Sequence, residues 1–223
     1  MNRLSRALTA AAALLLLAVF AVPIWSIQLV APQYPEGLGM MIAINTIRGV
    51  TPNDLDNINE LNHYIGMKQI TPAAIPELHI MPWALGVIAV AGLLVALLAR
   101  RRLLVAWAAL FGIASAAGLY DFWHWEYDYG HNIDIAHAII KIPGMSYQPP
   151  LIGVKQLLNF TAVSWPAAGG WMAFGAFALA ALAVIAAYRR GEPSDPATTV
   201  IETRTDAPRR APTPMLRSAG AVA

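Results

Sequence analysis

The stretch WALGVIAVAGLLVALLARRRLLVAWAALFGIASAAGLY, residues 83–120, decides the fold of this chain. It contains two apolar runs, 83–99 and 103–120, that are joined by three consecutive arginines. A helix needs roughly 20 apolar residues, at 1.5 Å of rise per residue, to cross the hydrocarbon core of a bilayer. The stretch therefore predicts two membrane-spanning helices that turn back on each other at the arginines.

Two further apolar runs lie near the N-terminus and at 171–188, which gives four predicted spans at about 7–28, 82–99, 103–121 and 171–188. Helices are expected, because a bilayer offers the backbone no other hydrogen-bond partners. The sequence thus predicts an all-α membrane protein in residues 1–190, with four transmembrane helices and two sizeable extracytoplasmic loops, 31–81 and 122–170. The tail at 191–223 is rich in Pro, Thr, Ala and Arg and is predicted to be disordered in the cytoplasm.

The distribution of charge predicts the orientation. The segments that flank the spans on the arginine side carry eleven cations and four acids, whereas the two outer loops carry four cations and nine acids. Since cytoplasmic loops carry the positive excess, both termini are predicted to be cytoplasmic in a bacterial inner membrane. The pI near 9.0 then reflects topology and gives no indication of nucleic-acid binding.

The first span has an alternative interpretation. Val19-Phe20-Ala21 is an acceptable cleavage site for a signal peptide. The apolar residues that continue through Trp25 and Leu29 favour an uncleaved anchor with Trp25 at the interface.

Local sequence patterns predict secondary structure within the two outer loops. Thr51-Pro52-Asn53-Asp54 is typical of a helix start and predicts a short helix within 51–70. Residues 122–132 alternate aromatic and polar side chains, which fits either the end of the third span or a strand-like ribbon. Residues 155–160 are predicted to form one or two turns of helix.

All five histidines fall in the two outer loops, and the chain has no cysteine. Any metal site would therefore use imidazole, thioether and carboxylate ligands. His63 and Met67 are four residues apart and would share one face of a helix, where nitrogen and soft sulfur together favour copper. The alternative is a packed methionine beside a histidine that bonds the backbone. His79 and His124 are interpreted as residues of the membrane boundary.

A second candidate site combines His131, Asp134 and His137 at three-residue spacing, with Glu126 and Asp128 nearby. A helical conformation would stack the three on one side, and carboxylates beside imidazoles support metal ligation. Loop hydrogen bonding and proton handling are the alternatives.

Several function classes are not indicated. The sequence contains no nucleophile elbow, no phosphate-binding loop and no HExxH motif. The predicted spans have essentially no ionisable residue in their interiors, which argues against a pump or coupled transporter. A non-enzymatic role is therefore expected.

Five longer segments of the chain resemble the sequences of a known protein family. They are WSIQL (25–29), APQYPEGL (31–38), LNHYIGMK (61–68), WEYDYGHN (125–132) and PGMSYQPPL (143–151). In these segments the chain resembles the small polytopic membrane proteins, called NosB, of clade II nitrous-oxide reductase gene clusters. The resemblance covers about residues 25–159. It implies an accessory protein that helps to mature, anchor or supply electrons to an extracytoplasmic copper enzyme, and it implies no catalytic residue.

The leading hypothesis is therefore a non-enzymatic membrane accessory protein for a copper protein such as nitrous-oxide reductase, with copper itself as a candidate ligand. A structural subunit or anchor of a larger bioenergetic complex is the alternative, and an electron-transfer enzyme that handles quinol is a third. Aromatic residues of the outer loops are the candidate interface, since Trp and Tyr supply large contact areas. These are Tyr34, Trp123, Trp125, Tyr127, Tyr129 and Tyr147.

Overall fold

A computed structural model describes residues 1–142 and 144–189. Four of its helices are long and apolar enough to cross a membrane, as a multi-pass membrane protein requires. They are α1 (Arg3–Ala18, extended by a short 3₁₀ turn at Val19–Ala21), α3 (Glu77–Leu98), α4 (Arg101–His131) and α5 (Ala168–Tyr188). The predicted tail at 191–223 lies outside the described residues.

The prediction of an all-α protein is wrong, because the outer segments build a five-stranded antiparallel sheet. Its strands are β1 (Trp25–Ala31), β2 (Tyr34–Ile42), β3 (Ile47–Gly49), β4 (Gly153–Leu157) and β5 (Phe160–Pro166). They lie in the order β3-β2-β1-β5-β4, so strands from both outer loops pair at the centre through β1 and β5.

The first helix ends earlier than the predicted boundary at residue 28, for a local reason. Pro23 stops the helix, since proline has no N–H to continue the hydrogen-bond ladder. Trp25 and Ile27 then alternate with the exposed Gln28 at the two-residue period of a strand. Similarly, residues 155–160 form the hairpin between β4 and β5 instead of the predicted helical turns.

The four long helices pack around a core rich in small residues. On α5, Ala176, Ala180, Ala183 and Ala187 are at most 1% exposed and share one core with Ala12 and Leu16 of α1. Small side chains let helix backbones approach closely, which is how helices associate in membranes.

The arginine-rich segments meet at one end of this bundle. The N-terminal ammonium group donates to the carbonyl of Ala99 at 3.1 Å, and the side chain of Asn2 donates to the carbonyl of Ala186 at 2.6 Å. Arg6 donates through Nε to the carbonyl of Ala96 at 3.1 Å. These contacts tie the start of α1 to the ends of α3 and α5, so the sheet lies at the other end.

The sheet, α2 (Asp54–Ile65) and the last turns of α4 form one folded unit, which we call the outer domain. Helix α2 lies within the range predicted for a short helix, 51–70. Inward residues of the sheet, among them Trp25, Ile27 and Met40, share a core with Ile58 of α2. The Trp25 ring lies 5.1 Å from that of Phe122 on α4, which joins the sheet directly to the extended helix.

Asp54 fixes the start of α2 against the sheet. One of its carboxylate oxygens accepts from the backbone N–H groups of Gly39 at 3.0 Å and Thr51 at 3.1 Å. The other accepts from the Thr51 hydroxyl. The bond from the Thr51 side chain is the main reason that the pKa of this buried carboxyl lies below its usual value.

Replacing Asp54 by Asn is expected to lower the free energy of unfolding of the outer domain by about 1–3 kcal/mol, because buried donors lose a charged acceptor. The folded pKa is lowered, so the stabilisation is present above the ordinary pKa of aspartate and is lost as the pH falls through the lowered value. Hydrogen exchange of the α2 amides measures it. Asp56→Asn, at an exposed residue of the same turn, is the control and should change little. Equal effects of the two variants would contradict this role for Asp54.

Candidate functional site

The end of α2 lies between His63 and Met67, the two residues predicted to share one face of a helix. The helix stops at Ile65, and Gly66 adopts a left-handed conformation with φ of 78°, in which its N–H bonds back to the helix. The N–H of Met67 then donates to the carbonyl of Asn62 at 2.8 Å. As a result His63 is exposed, whereas Met67 lines an interior cavity, so the helical face expected for the two residues does not form.

Of the second predicted set, His131, Asp134 and His137, only Asp134 and His137 are in contact. Helix α4 ends at His131, so residues 131–137 do not share a helical face. Asp134 and His137 do meet, with Oδ2 and Nδ1 2.7 Å apart, and this bond lowers the pKa of the exposed Asp134. His131 instead stacks on Tyr127, with ring centroids 4.0 Å apart, and its Nδ1 lies 3.0 Å from the Tyr127 carbonyl.

All five histidines are exposed. The interpretation of His79 and His124 as residues of the membrane boundary stays a prediction. Within residues 1–142 and 144–189, no three His, Asp or Glu side chains are arranged to hold a metal ion. Metal binding by His63, Met67, His131, Asp134 and His137 stays a prediction.

The two outer loops fold onto each other beside these residues. The N–H of Asp134 donates to the carbonyl of Gly66 at 2.8 Å, and the Tyr64 carbonyl accepts from Ile139 and Ile140. A salt bridge joins Lys68 to Asp128 at 2.7 Å. The segment after α2 is therefore fixed against the end of α4 and the chain that follows it.

The most unusual side chain of the outer domain is Glu126. It is 0% exposed, and neither of its carboxyl oxygens has a hydrogen-bond partner among the described residues. It lines a cavity of about 80 Å³, which we call the Glu126 cavity. A single water needs roughly 10–15 Å³, so the space accommodates several waters or one small ligand.

The walls of the Glu126 cavity come from separate parts of the chain. Strands β1, β2, β4 and β5, helices α2 and α4, and the segments after these two helices all contribute side chains, among them Met40, Met67, Tyr129 and Tyr147. Four of the segments that carry the resemblance, 25–29, 61–68, 125–132 and 143–151, each contribute to this lining. Residues far apart in sequence thus meet around one buried carboxyl.

Gly130 allows the segment that contains Tyr147 and Gln148 to approach α4 closely. A Cβ atom at this position would lie 2.4 Å from both the backbone N and the Cα of Gln148. The N–H of Tyr147 donates to the Gly130 carbonyl at 2.9 Å, and Tyr147 is only 5% exposed. The missing side chain therefore allows residues 147–148 to pack against α4 and close the cavity.

The sequence pattern placed Glu126 beside the candidate site of His131, Asp134 and His137 but gave no indication that it is buried. The available signal was its helical spacing, because residues 122, 125, 126 and 129 share one face if the third span continues as a helix. Phe122, Trp125 and Tyr129 do pack on that face. The structure thus favours the helical alternative for 122–132 over the strand-like ribbon.

The candidate interface residues divide into two groups. Trp123 and Tyr127 are 39% and 44% exposed, and their rings contact each other in a tilted arrangement with centroids 5.6 Å apart. Tyr147 is buried, and Trp125 and Tyr129 pack inward, so these three do not offer a docking surface in this structure. Tyr34 packs partly against the same core.

A larger cavity of about 580 Å³ opens among the four long helices below the sheet. Its lining is apolar apart from a few side chains such as Glu77 and Asp121. Acyl chains surround membrane helices, so an apolar crevice at this place requires no specific ligand. The Glu126 cavity is the more distinctive site.

Comparisons of the chain with protein families, with curated proteins and with solved structures found no match. The chemistry of the site therefore follows from its contacts. An ionised carboxyl that is buried without a partner costs several kcal/mol or more, so Glu126 needs either a proton or a cationic ligand.

Gly130→Ala is expected to displace residues 147–148 and expose Glu126, because the added methyl group has no room beside Gln148. Carbodiimide labelling read by mass spectrometry should then modify Glu126 several times faster than in the wild type. Gly118→Ala, on the same helix, has nothing within 4 Å of the added Cβ and is the control. Unchanged labelling of Glu126 in Gly130→Ala would contradict the packing role of Gly130.

Proposed function

We propose that this chain is a non-enzymatic accessory protein of the bacterial inner membrane, whose outer domain faces the extracytoplasmic side and contacts a copper enzyme. The resemblance in residues 25–159 points to nitrous-oxide reductase as that enzyme. The orientation is supported by the arginine-rich segments at the opposite end of the bundle, since positive charge favours the cytoplasmic side.

The observation that carries the docking role is an aromatic stripe on the exposed face of α4. Tyr120 lies 5.9 Å from Trp123, Trp123 lies 5.6 Å from Tyr127, and Tyr127 stacks on His131 at 4.0 Å, all between ring centroids. Tyr120 is 64% exposed. Large aromatic side chains held on a rigid helix lose little conformational entropy on binding, which makes them suitable anchors for a partner.

A second candidate, a structural subunit of a larger bioenergetic complex, is favoured by a different surface. Ile135, Ile139 and Ile140 are 47%, 63% and 50% exposed in the segment after α4, and Val154 and Trp165 are 65% and 48% exposed on β4 and β5. Exposed apolar groups of this extent suit a permanent interface.

Affinity purification from membranes of the native host grown with nitrous oxide tests the docking role. The wild type should recover nitrous-oxide reductase. The double variant Trp123→Ala with Tyr127→Ala should recover at least about tenfold less, because aromatic anchors contribute roughly 2 kcal/mol or more each. Trp83→Ala, at a 79% exposed tryptophan on α3, is the control.

Equal recovery by the double variant and the wild type would contradict the role of the aromatic stripe. A stable complex that lacks the reductase would favour the structural-subunit alternative.

The orientation is tested separately with single cysteines, since the natural chain has none. A membrane-impermeant maleimide applied to spheroplasts should label Lys141→Cys in the outer domain but not Arg102→Cys at the arginine end. Labelling of Arg102→Cys with protection of Lys141→Cys would reverse the proposed orientation.

A further inference from the structure

The Glu126 cavity contains one group that can carry a negative charge and nothing to balance it. Its lining residues, all within the described part of the chain, include no Lys, Arg or His. Both oxygens of Glu126 are buried without a hydrogen-bond donor among those residues. The site therefore has a place for a ligand that brings a single positive charge.

Two of the other potential donor groups of the cavity are soft. Met40, on β2, and Met67, directly after α2, are two methionines in the lining, and most of the remaining residues are aliphatic or aromatic. Thioether sulfur prefers soft ions such as Cu(I), whereas Mg²⁺ and Ca²⁺ require several oxygen ligands. The lining also includes the polar side chains of Asn62, Tyr129 and Tyr147, but it has only one carboxylate, and its two thioethers favour a soft ion.

The charge of Glu126 and the volume of the cavity further limit which cation can bind. A monovalent ion beside one carboxylate leaves the buried site neutral, whereas a divalent ion would leave one uncompensated charge in an apolar cavity, which is costly. A cavity of about 80 Å³ has room for one ion and excludes large ligands.

We propose that the Glu126 cavity binds a single Cu(I) ion, with the thioether sulfurs of Met40 and Met67 as soft ligands and the Glu126 carboxylate as the counter-charge. In naming copper as the soft ion, the proposal rests on the proposed function. The site differs from the one expected from the sequence, because it retains Met67 but replaces the exposed His63 by Met40 and Glu126.

The burial of two of the three proposed ligands suits Cu(I). This ion is prone to oxidation and exchange when it is exposed, and here Met40 and Glu126 are buried, while Met67 is half-buried beside the docked loops. An accessory protein that holds the ion in this way could release it when a partner displaces residues 147–148 from Gly130.

The test is a Cu(I) titration of the detergent-purified full chain under anaerobic conditions, in competition with a chromogenic Cu(I) chelator. The wild type should bind one equivalent. Met67→Leu and Glu126→Gln should each weaken binding by about 10- to 100-fold, as expected when a ligand or its supporting carboxylate is lost. X-ray absorption of the copper-loaded protein should show sulfur scattering that decreases in Met67→Leu.

Two controls distinguish this site from other copper contacts. Met81→Leu changes a methionine that lines the larger cavity, and His63→Ala removes the histidine predicted from the sequence; neither should alter the affinity. Circular dichroism and tryptophan fluorescence verify that each variant is folded. Glu126→Gln should fold about as well as the wild type, because it replaces one uncharged buried polar group by another of the same size.

Absence of stoichiometric binding by the folded wild type would overturn the proposal, as would binding that persists in Met67→Leu and Glu126→Gln but disappears in His63→Ala. The measurement uses no partner, so its failure is distinguishable from failure of the docking role. Copper binding without recovery of the reductase would support the site and contradict the proposed partner.

Discussion

The outer domain is organised around a carboxyl group that the fold buries without a partner. An uncompensated charge in a protein interior is among the most costly features that a structure can carry, so a buried Glu126 requires a proton or a cation. Glu126 lies on α4 beside aromatic side chains of the same helix. Residues 147–148, which pack closely against Gly130, lie next to it. The interior of the domain thus contains an ionisable group that an apolar core of the same size would not need.

The length of α4 places this group outside the bilayer while keeping it rigid. The helix has 31 residues and is about 46 Å long at 1.5 Å per residue, whereas the hydrocarbon core is roughly 30 Å thick. Its last turns therefore extend into the outer domain, with the aromatic stripe on one face and Glu126 on the other. The proposed ligand site and the proposed docking surface therefore lie on one continuous helix, with no hinge between them.

The membrane part of the fold could be predicted from sequence because it depends on length and composition alone. The four apolar runs, the short helix α2 and the contact between Asp134 and His137 follow from local patterns. The sheet does not follow from local patterns, because β1 continues the apolar run of α1 and its partner β5 lies about 130 residues later in the chain. The shared helical face expected for His63 and Met67 does not form for a similar reason, since one left-handed glycine at the end of α2 turns Met67 away from His63.

The carboxyl of Glu126 also offers the most direct test of this account. Infrared difference spectroscopy on Cu(I) addition separates a protonated carboxyl from a carboxylate, and metal binding releases the proton that the ion replaces. We expect the wild type to lose a protonated carboxyl band that Glu126→Gln lacks from the start. A wild-type spectrum with no carboxyl change at saturating Cu(I), or the same change in Glu126→Gln, would contradict the assignment of Glu126 as the counter-charge of a bound ion.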